Sequence, residues 1–379
     1  MRILLFGNPS TMHSNLAKGL RELGHHVRCI SHRTGWRRFP VDDILLERRT
    51  DINGKLAFLD YLFKAIPILW KCKGYDIVQL NGPMFLELRG SYMKPFYDYL
   101  RAHNKKVIMG AFGDDYHIVE RMLNSDILRY SDQRIGQEIR EDEAAKAQRE
   151  EWIQDSRHEV GISKYISADC DAIVACLYEY WACYKDVYPQ KTEFLPLPIV
   201  SQPVETFKEN FKCKFPIRVF IGIQRERSIF KGTDIMLKAA QDILRDYPER
   251  MKLQIAENIP YEEYEKMLNG SDVMLDQLYS YTPSMNSLLA MSKGLVIVGG
   301  GEPENYDILG ENELRPIINV QPTYDSVYEE LKSLIFHKEN IPELKRQSVE
   351  YVRKHHDYHK VAQQYENFYK KLLTKDVIH

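Results

Sequence analysis

The feature that most restricts what this chain can fold into is an alternation of short β runs with helical stretches, repeated along two halves. Arg2–Phe6 is an apolar β run, residues 7–13 form a polar turn, and Leu16, Leu20 and Leu23 recur at helical spacing. Gly24 then ends the helix, and residues 27–31 make the next strand. Further β runs stand at residues 76–80, 106–112 and 172–176, with helical segments between them. Adjacent parallel strands need a crossover of roughly a dozen residues or more, and this spacing leaves room for one. The expectation is an α/β fold on parallel, doubly wound sheets.

The run Leu195, Pro196, Leu197, Pro198, followed by Gln202 and Pro203, reads as an interdomain linker. Closely spaced prolines cannot continue a helix, and they stiffen a connection. Beyond it the alternation restarts, with strands expected at 218–223, 253–256, 273–278, 295–298 and 316–320 and helices at 234–245, 261–268 and 283–293. At 379 residues the chain is long enough for two such domains, expected at residues 1–200 and 201–350.

Composition removes several classes of function. A formal net charge of −2 offers no bulk basic field for DNA or RNA, so no nucleic-acid partner is expected. The first apolar run stops at Gly7, far short of a secretory leader, and no stretch approaches the roughly 18 apolar residues of a membrane span. A cytoplasmic protein is the expectation. Its six cysteines have no C-x-x-C spacing, so reduced, buried thiols are expected and no zinc site. The run 65–70, beside Lys64, Lys71 and Lys73, reads first as a helix packed on a sheet with lysines at its edge. Its other reading is peripheral contact with a membrane surface. The densely charged stretch 133–159 reads as a solvated helix with no functional weight.

Two constellations could carry chemistry. In the first, residues 222–234, a strand ends, Arg225 and Lys231 flank a loop, and Gly232 leads into a helix opened by Thr233 and Asp234. Cations on such a loop can neutralise a diphosphate; surface charge beside a helix cap is the other reading. In the second, Thr282 as N-cap, Pro283 in the first turn and Gly294 past the end define a helix whose N-terminus can cradle phosphate. Ser284, Met285 and Asn286 would offer backbone N–H groups there. In the first half, the 106–112 strand delivers Asp114 and Asp115 at its carboxyl end, where open α/β sheets bind ligands, although an Asp pair there can equally cap the next helix. Gly7 and His13 bound the equivalent loop after the first strand, where His13 could touch an acceptor or a donor phosphate or be an exposed turn histidine. That loop is not a G-x-G-x-x-G fingerprint, so no dinucleotide cofactor is expected. Asp169-Cys170-Asp171 has a D-x-D form but precedes its strand, and a polar strand entry accounts for it better than a metal site.

The segment Gly222–Lys231–Gly232 resembles the Gly-Arg…Lys-Gly element of the large retaining family of glycosyltransferases with the GT-B fold, glycosyl transferases group 1. Residues 1–31, the Tyr75-Asp76-Ile77-Val78 strand start and the 195–199 hinge are similar to that family's in order and spacing. The tail 356–373 looks like its final helix, which crosses back to the first domain. The resemblance implies two Rossmann-like domains facing a central cleft, with residues 351–379 as the crossover helix. It implies a nucleoside-diphosphate sugar as co-substrate, no cofactor, and Arg225 and Lys231 on the donor diphosphate. Asp115 matches a Gly-x-Asp element on the acceptor side, together with Asp114, Gly7 and His13. The acceptor would be a saccharide or a lipid-linked saccharide, with surface polysaccharide biosynthesis as the setting, retention of configuration and no metal. The chain departs from the family in one place: Tyr281 and Leu289 stand where its two glutamates stand, so Glu304 in the 299–305 loop is the candidate replacement carboxylate, although each of that loop's glutamates, Glu302 and Glu304, taken alone reads as a solvated acid. That departure keeps open a sugar-nucleotide epimerase of the same fold, or a non-catalytic partner subunit.

Overall fold

The computed structural model describes residues 1–32, 43–154, 159–201, 211–213 and 215–374; Gln202 and Pro203 of the linker reading lie outside the described residues. The chain divides into two compact units. The first comprises Met1–Arg121, Gln148–Pro198 and Tyr358–His379, the second Met122–Ala147 and Ile199–Asp357. One passage between them falls at Pro198, in the proline-rich run.

The first unit is built on a parallel sheet of β1 (Arg2–Phe6), β2 (His26–Ser31), β3 (Ile44–Leu45), β4 (Ile77–Leu80), β5 (Lys106–Ala111), β8 (Ala172–Ala175) and β9 (Thr192–Phe194). Its order is β3-β2-β1-β4-β5-β8-β9. Every residue of β4, β5 and β8 is buried, as expected where helices cover both faces of a parallel sheet. The helix Met12–Glu22 packs on the helix Tyr358–Thr374. They approach so closely that a Cβ on Gly19 would lie 2.6 Å from that of Ala362.

The second unit carries β10 (Ile217–Ile223), β11 (Met251–Glu257), β12 (Val273–Leu275), β13 (Val296–Gly299) and β14 (Ile317–Asn319), all parallel, in the order β11-β10-β12-β13-β14. Ile217, Val219, Ile221, Val273, Leu275, Val296 and Val298 form its core with Met236, Ala240 and Ile243 of the helix Thr233–Asp246. Strand β12 stops at Leu275, three residues before the expected end, because residue 276 already turns into a loop.

The stretch 133–159 is not one solvated helix. It holds the hairpin β6 (Arg134–Ile135) and β7 (Glu138–Ile139), the short helix Glu143–Arg149 and a π-helical turn Glu150–Gln154, and residues 155–158 lie outside the described residues. Arg140 and Arg149 are buried despite their charge. Asp169 and Asp171 meet Arg101, and Asp171 also accepts from the backbone N–H of Val107 at the entry to β5. Cys29, Cys72, Cys170, Cys176 and Cys183 are buried thiols, and Cys213 is half-buried.

Candidate functional site

In a doubly wound sheet the loops leaving the carboxyl ends of two neighbouring strands diverge where the strand order reverses, and ligands bind in the crevice they leave. In the second unit that reversal lies between β10 and β12. The loop after β10 carries Arg225 and Lys231; the loop after β12 runs from Asp276 to Ser284. The Leu278 N–H donates to the Lys231 carbonyl at 2.9 Å, so the two loops are tied at the switch point. Gly232 makes that approach possible: its φ is +68°, and a Cβ there would stand 2.6 Å from the Cβ of Leu278.

Arg225 projects into solvent with its side chain 79% exposed, and its Nε donates to Glu257 at 2.6 Å. An exposed pair of this kind is worth little, so an incoming anion can displace the carboxylate at small cost. Lys231 is half-buried in the last turn of the short helix Ser228–Lys231.

The phosphate-cradle helix starts later than the sequence reading has it. Ser280 Oγ donates to the Thr282 carbonyl and accepts from the Thr282 N–H, so buried Thr282 is bound into a local turn and does not cap. Ser284 is the N-cap of the helix Met285–Ser292: its Oγ accepts from the Ser287 N–H and donates to Asp276. Met285 is half-buried and Asn286 exposed at the first turn.

A third loop, after β13, joins these two. Gly300 leaves room for the backbone of Ser280, and the Glu302 N–H donates to the Tyr281 carbonyl. Glu302, expected to be a solvated acid, is buried; Tyr130 Oη at 2.7 Å, Gln321 Nε2 at 2.8 Å and Arg129 at 2.7 Å all donate to it. Burial alone would raise its pKa, but these hydrogen bonds, one from Asn319 and the Arg129 charge outweigh burial and hold it below the usual carboxylate range. Glu304 is more open and is held low chiefly by its hydrogen bond from Arg129. Tyr281, at a family glutamate position, is buried beneath the Arg129 guanidinium, 5.0 Å from its ring centre.

Arg129, Tyr130 and Arg140 escaped the sequence reading. They belong to the segment Met122–Ala147, far from these loops in sequence but part of the same unit. Arg140 lies 3.8 Å over the Tyr279 ring and donates to the carbonyls of Ile229 and Phe230, bracing the loops after β10 and β12 together. The sequence signal is slight: Arg140 sits in the stretch 133–159, whose polar pattern fits a solvated helix, and Arg129 and Tyr130 precede it in no recognisable motif.

In the first unit the reversal lies between β1 and β4, where Gly7 follows one strand and Asn81 the other. Gly7 has φ +79°, and a Cβ there would fall 2.2 Å from Asn81 Cγ. His13 cannot reach a ligand as it stands, being fully buried. Its Nδ1 lies 2.6 Å from the Gly7 carbonyl, which can only accept, so Nδ1 carries the proton and Nε2 accepts from Gln79 at 3.0 Å. Gln79 in turn accepts from Tyr369 Oη at 2.7 Å.

The Asp pair divides its labour. Asp115 is buried and caps the helix Tyr116–Asn124, accepting from the Ile118 N–H at 3.0 Å and from Tyr184 Oη at 2.6 Å. Burial raises its pKa to about 6 against the lowering effect of those bonds. Asp114 is the member of the pair that reaches solvent. Among the described residues no group of three or more His, Cys, Asp or Glu side chains is arranged to hold a metal ion.

No family model matches the sequence, and no curated protein matches it. Solved structures do resemble it along almost the whole chain. Sucrose-phosphate synthase from Thermosynechococcus elongatus superposes with a TM-score of 0.61 at 12% identity, covering 99% of this chain and 100% of that one. HepE of Anabaena, in complex with UDP and glucose, gives 0.59 at 11% identity over 98% and 100%. WaaG, a glycosyltransferase involved in lipopolysaccharide biosynthesis, gives 0.55 at 11% over 97% and 99%. The chain has the two-domain GT-B fold of these glycosyltransferases.

Proposed function

We propose that this chain is a glycosyltransferase that takes a sugar from a nucleoside-diphosphate sugar, with the donor on its second unit and the acceptor on its first. The observation that carries the reading is the tie between Leu278 and Lys231, which brings the cation-bearing loop and the loop before the Met285–Ser292 helix to one switch point. When the bond from sugar to diphosphate breaks, negative charge grows on the leaving group. Lys231, Arg225 once it has exchanged Glu257 for the diphosphate, and the first-turn N–H groups of that helix stabilise it. The acceptor oxygen bonds to the anomeric carbon on the face the leaving phosphate departs from, and that phosphate takes the acceptor's proton, so configuration is retained without a protein base; the two cations on the diphosphate take the place of a metal ion. Asp114 and the Gly7 loop receive a saccharide or lipid-linked saccharide, and Asp115 positions Asp114 by capping the next helix. Cytoplasmic assembly of a surface polysaccharide is the setting this chemistry fits.

Calorimetric titration with UDP and GDP, beside a thermal-shift screen of nucleotide sugars, tests the reading, because a ligand that binds only the folded state raises its apparent stability. Binding of one nucleotide, weakened by Arg225→Ala, is expected. Absence of binding by either nucleotide or any nucleotide sugar would leave a partner subunit with a decayed donor site.

A further inference from the structure

The helix Gly54–Trp70 is apolar on both of its faces. Ala57, Tyr61, Ala65 and Leu69 face the protein and are buried. Leu56, Leu59, Phe63, Ile66 and Trp70 face solvent, with Phe63 81% and Trp70 66% exposed. These are five of the thirteen large apolar side chains exposed among the described residues. At about 100° per residue the five fall within an arc of roughly 80°, a single stripe along the helix. Tyr92, 49% exposed, lies against half-buried Phe58 on the flank of the helix.

Cations line this stripe. Lys55 projects along one edge, Lys64 and Lys71 along the other, and Lys73 follows the helix end, all exposed. Asp60 is the one acid on the helix, and Lys64 neutralises it at 2.5 Å. From Glu47 to Lys73 there are six Lys and Arg against three Asp and Glu, in a chain whose net charge is −2. No described helix is long and apolar enough to cross a membrane.

We propose that this face docks the first unit on an anionic phospholipid surface, the helix lying in the plane of the headgroups. Leu, Ile, Phe and Trp side chains on one face enter the boundary between headgroups and acyl chains, while lysines on both flanks run their stems along it to the phosphates. The charge selects the occupant, since an excess of cations around an apolar stripe is complementary to anionic lipid. The proposal does not rest on the glycosyltransferase reading.

Flotation of the full chain with phosphatidylcholine vesicles, with and without phosphatidylglycerol, is the test. The parent chain should float with the anionic vesicles, and high salt should release much of it. Phe63→Ser combined with Trp70→Ser should lower the partition coefficient by about tenfold or more, since both rings are exposed in the free protein and leave its core intact. Lys71→Glu with Lys73→Glu should cost at least about fivefold for each charge on anionic vesicles only. Sedimentation of the same proteins provides the opposing outcome. A dimer abolished by Phe63→Ser and Trp70→Ser, with no flotation of the parent chain, would mean that a second copy covers the face. Flotation unchanged by either pair would equally overturn the proposal.

Discussion

Replacing Asp115 by Asn distinguishes a buried cap from a ligand-facing acid through the pH dependence of stability. The carboxyl is buried, and its pKa is raised from 3.8 to about 6. A raised folded-state pKa means that the stability contribution is fully present below 3.8 and is lost as pH rises through 6. The full shift corresponds to roughly 3 kcal/mol, of which about 1.5 kcal/mol falls between pH 5 and 8. His117 works in the opposite direction: burial lowers its pKa to about 4, so its contribution declines as pH falls below 6.5. The informative quantity is therefore the difference between the parent chain and Asp115→Asn, in which His117 cancels. Asn keeps an oxygen for the Ile118 N–H and cannot ionise. All four tryptophans fall within the residue ranges of the first unit, so tryptophan fluorescence in urea follows that unit. Relative to the variant, the parent should be more stable at pH 5 than at pH 8 by about 1.5 kcal/mol. An identical difference at the two pH values would refute the assignment of Asp115 as a buried, destabilised carboxylate.

Three further outcomes are expected. Arg225→Ala and Lys231→Ala should each lose roughly a hundredfold in turnover with normal folding, and the double variant should lose less than the product, because both serve one leaving group; transfer assays beside thermal melts decide this. Transfer should persist in excess EDTA, and a loss restored by manganese or magnesium would mean that the diphosphate site has been misread. Gly232→Ala should destabilise the second unit by about 1–3 kcal/mol and weaken nucleotide binding, since it puts a side chain at φ +68° against Leu278; circular dichroism in urea and calorimetry measure both.

The doubly wound sheets were legible because periodicity is a local signal: β10 and the Thr233–Asp246 helix lie within a residue or so of where the pattern puts them. The two-residue strands β6 and β7 carry no period long enough to see. Capping was legible as a type of residue but not as a position: Ser280, Thr282 and Ser284 are all competent, and only the turn that engages Thr282 leaves the role to Ser284. Glu302 and Arg140 were illegible for a different reason. A charged residue reads as solvated until its partners are known, and theirs lie far off in the sequence. The Gly54–Trp70 helix defeated the pattern differently, since apolar residues on both faces conceal which one is buried.

The chain of bonds from Tyr369 through Gln79 and His13 to the Gly7 carbonyl has a consequence for how the protein is made. Tyr369 lies on a helix that belongs to the first unit but is encoded after the whole run Ile199–Asp357. A ribosome therefore delivers the complete second unit before it delivers the piece that finishes the first. Until then the surface of the Met12–Glu22 helix that receives Ala362 stays uncovered, and Gln79 lacks one of its partners. Of the two units, the one whose synthesis starts earlier is thus finished later, and the nascent chain carries its first unit without the closing helix for as long as Ile199–Asp357 is being made.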